Sequence, residues 1–187
     1  MAVHSEKNIK VVCLEEKRLE NGKGVYMLVP AILYKEQIEK EFAKRIYDDK
    51  FFFYSGYCHN YFIPEIEPRD CKRQYAIINN DDGKLVGYFA YTIDTNVKSI
   101  HNLGLYSFDE GNVFIIKEVF NELERLLKEN HRLEWTVICG NPAERGYDSF
   151  CKKHNGTKHI HHDVCIDNHG KLHNSAWYEI ITDIPAR

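Results

Sequence analysis

The spacing of apolar positions divides the chain into a regular series of elements. Val25 to Val29 is a short apolar run that predicts a strand, followed by Pro30. Proline suits the first turn of a helix, because its φ is fixed near the helical value and its missing N–H is not needed there. Ile38, Phe42 and Ile46 then recur every four residues among Lys and Glu, which predicts an amphipathic helix ending near Asp48-Asp49. Phe51, Phe52, Phe53, Tyr54, Tyr57, Tyr61 and Phe62 crowd the next segment, which is broken by Ser55-Gly56 and closed by Pro64 and Pro68. This reads as a loop or broken helix, either packed on the core or forming the apolar wall of a pocket.

From Tyr75 the pattern turns to strands. Tyr75 to Ile78 and Leu85 to Ile93 flank Asn79-Asn80-Asp81-Asp82-Gly83, a strong hairpin signal, and Ser99 to Tyr106 predicts a third strand. Asn112 stands before Val113, Ile116, Val119, Phe120, Leu123, Leu126 and Leu127, a helix with one broad apolar face, Asn112 as its N-cap and Asn130 as its stop. Leu133 to Cys139 reads as a buried strand. Gly140-Asn141-Pro142 then turns the chain into a short helix running to about His154, ended by Asn155-Gly156, since both tolerate the left-handed cap. Lys158 to Ile166 and Lys171 to Ile181 form a second hairpin about Asp167-Asn168-His169-Gly170. On its first strand His159, His161, Asp163 and Cys165 alternate with Ile160, His162, Val164 and Ile166, and the second set is expected to face the core. Hairpin-joined strands imply antiparallel pairing, whereas strand, helix, strand across 99–139 implies one right-handed parallel crossover. The class is α+β, a mixed, mostly antiparallel sheet flanked by helices.

Composition narrows the function classes. The 187 residues predict a single domain with its core over about 25–181, and 25 basic against 28 acidic residues give a net charge of −3. That balance carries no electrostatic footprint for nucleic acid or an anionic membrane. Met1 to Lys10 has no apolar stretch and no run of eighteen apolar residues occurs, so a cytoplasmic location is expected. Cysteines at 13, 58, 71, 139, 151 and 165 form no CxxC knuckle; they read as unpaired thiols, and none is assignable as a nucleophile. His154, His159, His161, His162, His169 and His173 cluster near the end of the chain and invite a metal reading. Alternate residues on a strand are about 7 Å apart, too far for one tetrahedral zinc to take three in sequence, and help from His173, roughly opposite His162 to Asp163, would be needed. The expectation is polar hairpin residues and no metal.

The order of elements, with a helix start directly after the fourth strand, resembles the GNAT N-acetyltransferase superfamily from about Val25 to Ile181. In that family the loop at this place carries Arg/Gln-x-x-Gly-x-Gly/Ala, whose backbone N–H groups and helix end hold the pyrophosphate of acyl-coenzyme A. Phe108-Asp109-Glu110-Gly111-Asn112-Val113 stands there and keeps the first glycine only. Phe108 replaces the basic or amide residue, Val113 the second small one, and Asp109 and Glu110 bring negative charge. A weak, a remodelled and a lost phosphate site all fit, as does a plain helix cap.

Asn141 to Gly156 is similar to the family's Asn after the fifth strand and its helix ending in Tyr-x-x-x-Gly. The family tyrosine, which reprotonates the leaving thiolate, falls near Phe150, so Tyr147 is the substitute. The resemblance implies acetyl-CoA or another acyl-CoA as co-substrate and direct attack by the amine of a small molecule or peptide. Leu103 and Leu105 would lie on the strand that holds pantetheine, with Gly111, Asn112, Val113 and Asn141 also at the cofactor. Amine deprotonation calls for a base: His101 is the first choice, since imidazole titrates near neutrality, and Glu110 the second, although plain solvent exposure explains either. Two other readings stand beside this one: a non-catalytic GNAT-fold binding or regulatory protein, and a metal-binding protein using the C-terminal hairpin. A homodimer is compatible with each.

Overall fold

The computed structural model describes residues 26–46, 48–49, 53, 63–109, 112 and 114–185. Its strands are β1 (Tyr26–Pro30), β2 (Lys72–Asn79), β3 (Leu85–Asp94), β4 (Ser99–Ser107), β5 (Arg132–Ile138), β6 (Thr157–Ile166) and β7 (Leu172–Ile181). They form one sheet in the order β1-β2-β3-β4-β5-β7-β6. Every neighbouring pair is antiparallel except β4 and β5, which run parallel across the predicted crossover. The helices are α1 (Lys35–Ala43), α2 (Phe114–Leu127) and α3 (Glu144–Lys153).

Residues Leu85 to Tyr91 of β3 are all buried, as a central strand covered on both faces requires. On one face α2 buries Ile115, Val119, Leu123, Leu126 and Leu127 against Ile77, Phe89 and Leu133, and α3 adds Tyr147, Phe150 and Cys151. The Trp135 ring of β5 lies flat on Tyr178 of β7, with centroids 4.9 Å apart and planes 5° apart. On the other face Ile38 and Phe42 of α1 pack against Ala76, Ile78, Tyr88 and Ala90. Phe42 meets Tyr88, Tyr106 and Phe108 edge-on, the arrangement that ring quadrupoles favour. One turn on, Arg45 donates to the carbonyl of Phe108 at 2.8 Å. That bond ties the end of α1 to the chain leaving β4.

Several boundaries differ from expectation. Pro30 closes β1, with φ −53° and ψ 125°; this works because β1 is an edge strand, where a missing N–H leaves no ladder bond unmade. A short 3-10 turn, Ala31–Tyr34, precedes α1. The helix stops at Ala43, earlier than Asp48-Asp49, yet Ile46 still packs against the same cluster. Asn130 ends α2 as expected, its side-chain amide donating to the Leu126 carbonyl at 2.9 Å. Of the aromatic block, Phe53 packs against Ile138 and Cys165; its other members lie outside the described residues.

The first strand of the C-terminal hairpin reverses its predicted facing. Thr157 to Val164 are all exposed, Ile160 and Val164 among them, while Cys165 of the polar set is buried. β6 is the last strand of the sheet, so α3 does not cover its apolar positions. The pairing also jumps from His161↔Ser175 to Cys165↔His173, and the bulge, with Asp163 at φ 55°, breaks the period-two alternation.

At the end of α3 the two cap residues divide the work. Asn155 takes the left-handed conformation, at φ 53°. Gly156 answers a close approach instead: a Cβ there would stand 2.6 Å from the Glu179 carbonyl oxygen and 2.8 Å from Cys151 Sγ. Gly156→Ala is therefore expected to lower stability by about 2 kcal/mol through forced overpacking, measured as a lower urea midpoint with an unchanged slope, whereas Gly83→Ala, which has open space but φ +69°, loses about 1 kcal/mol through backbone strain alone.

Candidate active site

The feature that organises the site is the brevity of the β4–β5 pairing. The two strands match only at Ser99↔Arg132 and Ile100↔Leu133. Beyond those pairs β4 stays with β3 as far as Gly87↔Ser107, and β5 stays with β7 as far as Ile138↔Ser175. A wedge therefore opens in the middle of the sheet. Its two flanks are strand edges whose N–H and C=O groups need partners other than each other.

A bulge in β4 lies at the vertex. The register runs from Ala90↔Gly104 to Thr92↔His101, so one residue of β3, Tyr91, spans Asn102 and Leu103. Asn102 sits at φ 52°, a conformation that Asn tolerates better than most residues. Such a bulge bends and twists its strand and carries β4 away from β5. His101 is the first residue past the last parallel pair, and it is half-buried. Leu103 and Leu105 follow along the flank, packed partly buried against the α2 core.

The mouth of the wedge is held by the residues after β4. Phe108 turns its ring toward Phe42 and Arg45. Ser107 Oγ donates to the Asp109 carbonyl at 2.7 Å, and the Asn112 amide donates to Tyr26 Oη at 2.6 Å and to the Asp109 carboxylate at 3.0 Å. Asp109 is thereby directed to a partner within its own loop. Across the wedge Asn141 accepts from the Ala143 N–H at 2.8 Å, starting α3, and donates to the Phe53 carbonyl at 2.6 Å.

No protein-family model and no curated sequence matches the chain. Solved structures do. The chain resembles the ribosomal L7/L12 alpha-N-protein acetyltransferase RimL, solved with coenzyme A, at 12% identity and a TM-score of 0.62, over 85% of this chain and 95% of that one. It also resembles a putative acetyltransferase from Acinetobacter baylyi, at 14% identity and a TM-score of 0.63 over 87% and 93% of the two chains. The microcin C7 self-immunity acetyltransferase MccE, solved with acetyl-CoA and AMP, superposes with a TM-score of 0.58 at 14% identity, over 84% and 92%. The fold is that of the GNAT acetyltransferases.

Within this GNAT fold the predicted site residues separate. His101, Leu103 and Leu105 share one flank of the wedge, Asn112 stands at its mouth and Asn141 opposite. Glu110, Gly111 and Val113 lie outside the described residues. Tyr147 is buried to 4% exposure among Phe120, Trp135 and Tyr178, and burial pushes its phenol well above the ordinary value. Phe150 is stacked on Phe120 beside it. Cys139 and Cys151 have their thiols pushed up, mainly by burial, which suits packing rather than attack. Sequence reasoning passed over Asn102, Arg132, Glu134 and Trp177. The only local signal was Asn102 itself, a residue tolerant of positive φ in an otherwise regular strand.

The histidine cluster resolves into separate contacts. His154 bonds Glu124 at 2.9 Å, His169 bonds Asp49 at 3.1 Å, and His159 lies over Trp177 at 5.3 Å. His173 stands opposite Cys165 rather than His162 to Asp163, because the bulge shifts the register; it bonds Asp167 at 2.7 Å and meets the Phe53 ring edge-on. Among the described residues no three His, Cys, Asp or Glu groups converge as metal ligands, and no helix is long and apolar enough to cross a membrane.

Hydrogen bonds from His173 and from the N–H groups of Lys171 and His169 hold the Asp167 carboxyl down at about 2. A carboxyl lowered by folding contributes stability above its unfolded value, near 3.9, and loses that contribution as pH falls toward the folded one. Asp167→Asn is therefore expected to flatten the loss of stability between about pH 4 and about pH 2, read from urea midpoints across that range; an unchanged slope would show that the turn is not held by this carboxylate.

Proposed function

We propose that this protein is an acyl-coenzyme A-dependent N-acyltransferase, passing an acetyl group to an amine. The observation that carries the reading is the wedge. An extended chain bearing amide groups fits between β4 and β5, because beyond Ile100 and Leu133 the two strands no longer pair with each other, and Leu103 and Leu105 lie along that path. His101 at the vertex stands where a thioester at the end of such a chain would lie. Its imidazole takes the proton from the ammonium, the neutral amine adds to the thioester carbonyl, and collapse of the adduct breaks the C–S bond, releases the thiolate and sheds the extra proton of the new amide nitrogen to water in the wedge. Tyr147 is packed into the core, so water in the wedge supplies the proton that the thiolate takes up.

The mouth of the wedge favours a second reading, a GNAT-fold protein that binds without turnover. Phe108 there is committed to the α1 cluster, and Asp109 places a carboxylate at the mouth.

Acetyl-CoA at about a hundred times its dissociation constant is expected to stabilise the folded protein by about 2.7 kcal/mol, seen as a rise in Tm of several degrees. His101→Gln is expected to keep that rise and to lower kcat by about 100-fold, followed by thiol release with a primary amine as acceptor. Absence of any shift at millimolar acetyl-CoA would remove the acyltransferase reading; a shift without thiol release from any amine would favour the binding protein.

A further inference from the structure

The half of the sheet beyond the wedge carries a polar and aromatic shelf on the face opposite α2 and α3. Ser99 is paired with Arg132, so His101 and Glu134, two residues further along each strand, project to the same face at the vertex. Glu134 is cross-strand from Glu179, Thr136 from Trp177, and Trp177 from His159. The guanidinium of Arg132 lies between the Glu134 and Glu179 carboxylates, 2.6 Å from each, and 5.8 Å from the centre of the Trp177 ring. The Glu134 and Glu179 side chains keep 30% and 19% of their exposure, so solutes reach them.

One guanidinium between two carboxylates leaves one net negative charge. That charge sits beside a half-buried indole, and aromatic faces attract cations. Neighbouring strands are about 4.8 Å apart. Glu134 and Glu179 lie on the next strand and the one after it from His101, on β5 and β7.

We infer that this shelf seats the acyl acceptor and selects an amine that carries a second positive charge, drawn by the net negative charge of the Glu134–Arg132–Glu179 cluster beside Trp177 while the reacting nitrogen lies at His101. The inference rests on the acyltransferase reading and adds the substrate class: an extended diamine or polyamine in place of a neutral or acidic amine. Trp177 and Glu134 are specificity residues that touch the acceptor away from the bond being made.

The test compares three amines of similar length, 1,5-diaminopentane, pentylamine and 6-aminohexanoate, titrated calorimetrically into the full chain saturated with coenzyme A. The diamine is expected to bind about tenfold tighter than pentylamine, the sum of one ion pair and one cation–π contact, and 6-aminohexanoate weakest. That preference shrinks as salt rises from about 50 to about 300 mM. Glu134→Gln and Trp177→Leu each reduce it and leave the coenzyme A shift in Tm intact, so a folding defect in one variant does not decide the outcome. Equal binding of diamine and pentylamine, no saturable diamine binding, or a preference untouched by both substitutions would overturn the inference. If coenzyme A itself fails to shift Tm, the acyltransferase reading falls, and the same titration on the free protein still decides the shelf.

Discussion

The structure turns on the parting of β4 and β5 after two matched pairs. A parallel pair in the middle of a sheet normally continues, because every abandoned rung exposes backbone groups. Here each strand is held on its outer side by a full antiparallel partner and beneath by its own part of the helical layer, Leu103 and Leu105 against the α2 cluster, Trp135 and Val137 beside Tyr147 and Phe150. Neither flank depends on the other for its position. The bulge at Asn102 supplies the bend that separates them, and the edges beyond Ile100 and Leu133 are left unmatched to each other.

Burial then distributes the chemistry. The layer formed by α2 and α3 is aromatic, with Tyr147 and Phe150 packed against Phe120 and Trp135, and burial raises the Tyr147 phenol above its ordinary value. What remains available lies at the vertex and on the opposite face, where His101, Glu134, Arg132, Glu179 and Trp177 share one side of the sheet. α1 limits that face: its Phe42 sits in a ring of Tyr88, Tyr106 and Phe108, and Arg45 anchors the Phe108 carbonyl. The loop after β4 is thus fastened by aromatic packing and a backbone bond. In the resembling family a basic or amide side chain stands at that position, whereas here the cation, Arg45, comes from the turn after α1.

The hairpin of β6 and β7 shows how edge position overrides pattern. Ile160 and Val164 occupy strand positions that alternate correctly for burial, yet they remain exposed because β6 is the edge of the sheet and α3 reaches only its first residues, Thr157 and Lys158. Cys165, on the polar side of the same strand, is buried because Phe53 and Ile138 reach it. Four of the six histidines, His154, His159, His169 and His173, meet Glu124, Trp177, Asp49 and Asp167 one by one, and among the described residues their density in sequence does not become a metal-ligating cluster in space.

Local spacing determined the elements. The four-residue recurrence of Ile38, Phe42 and Ile46, the apolar stripe from Val113 to Leu127, the Asp82-Gly83 turn and the left-handed Asn155 each rest on spacing or conformation within a few residues, and apart from the early end of α1 each element stands close to where its pattern placed it. The one parallel crossover was legible for the same reason, since a strand, a helix and a strand leave few ways to connect. The length of the β4–β5 pairing, the bulge at Asn102, the burial of Tyr147 and the meeting of Glu134, Glu179 and Trp177 depend on residues far apart in the chain. Only the tertiary structure decided them, because a strand's pattern records which way its side chains alternate and not which neighbour, helix or solvent lies on either side.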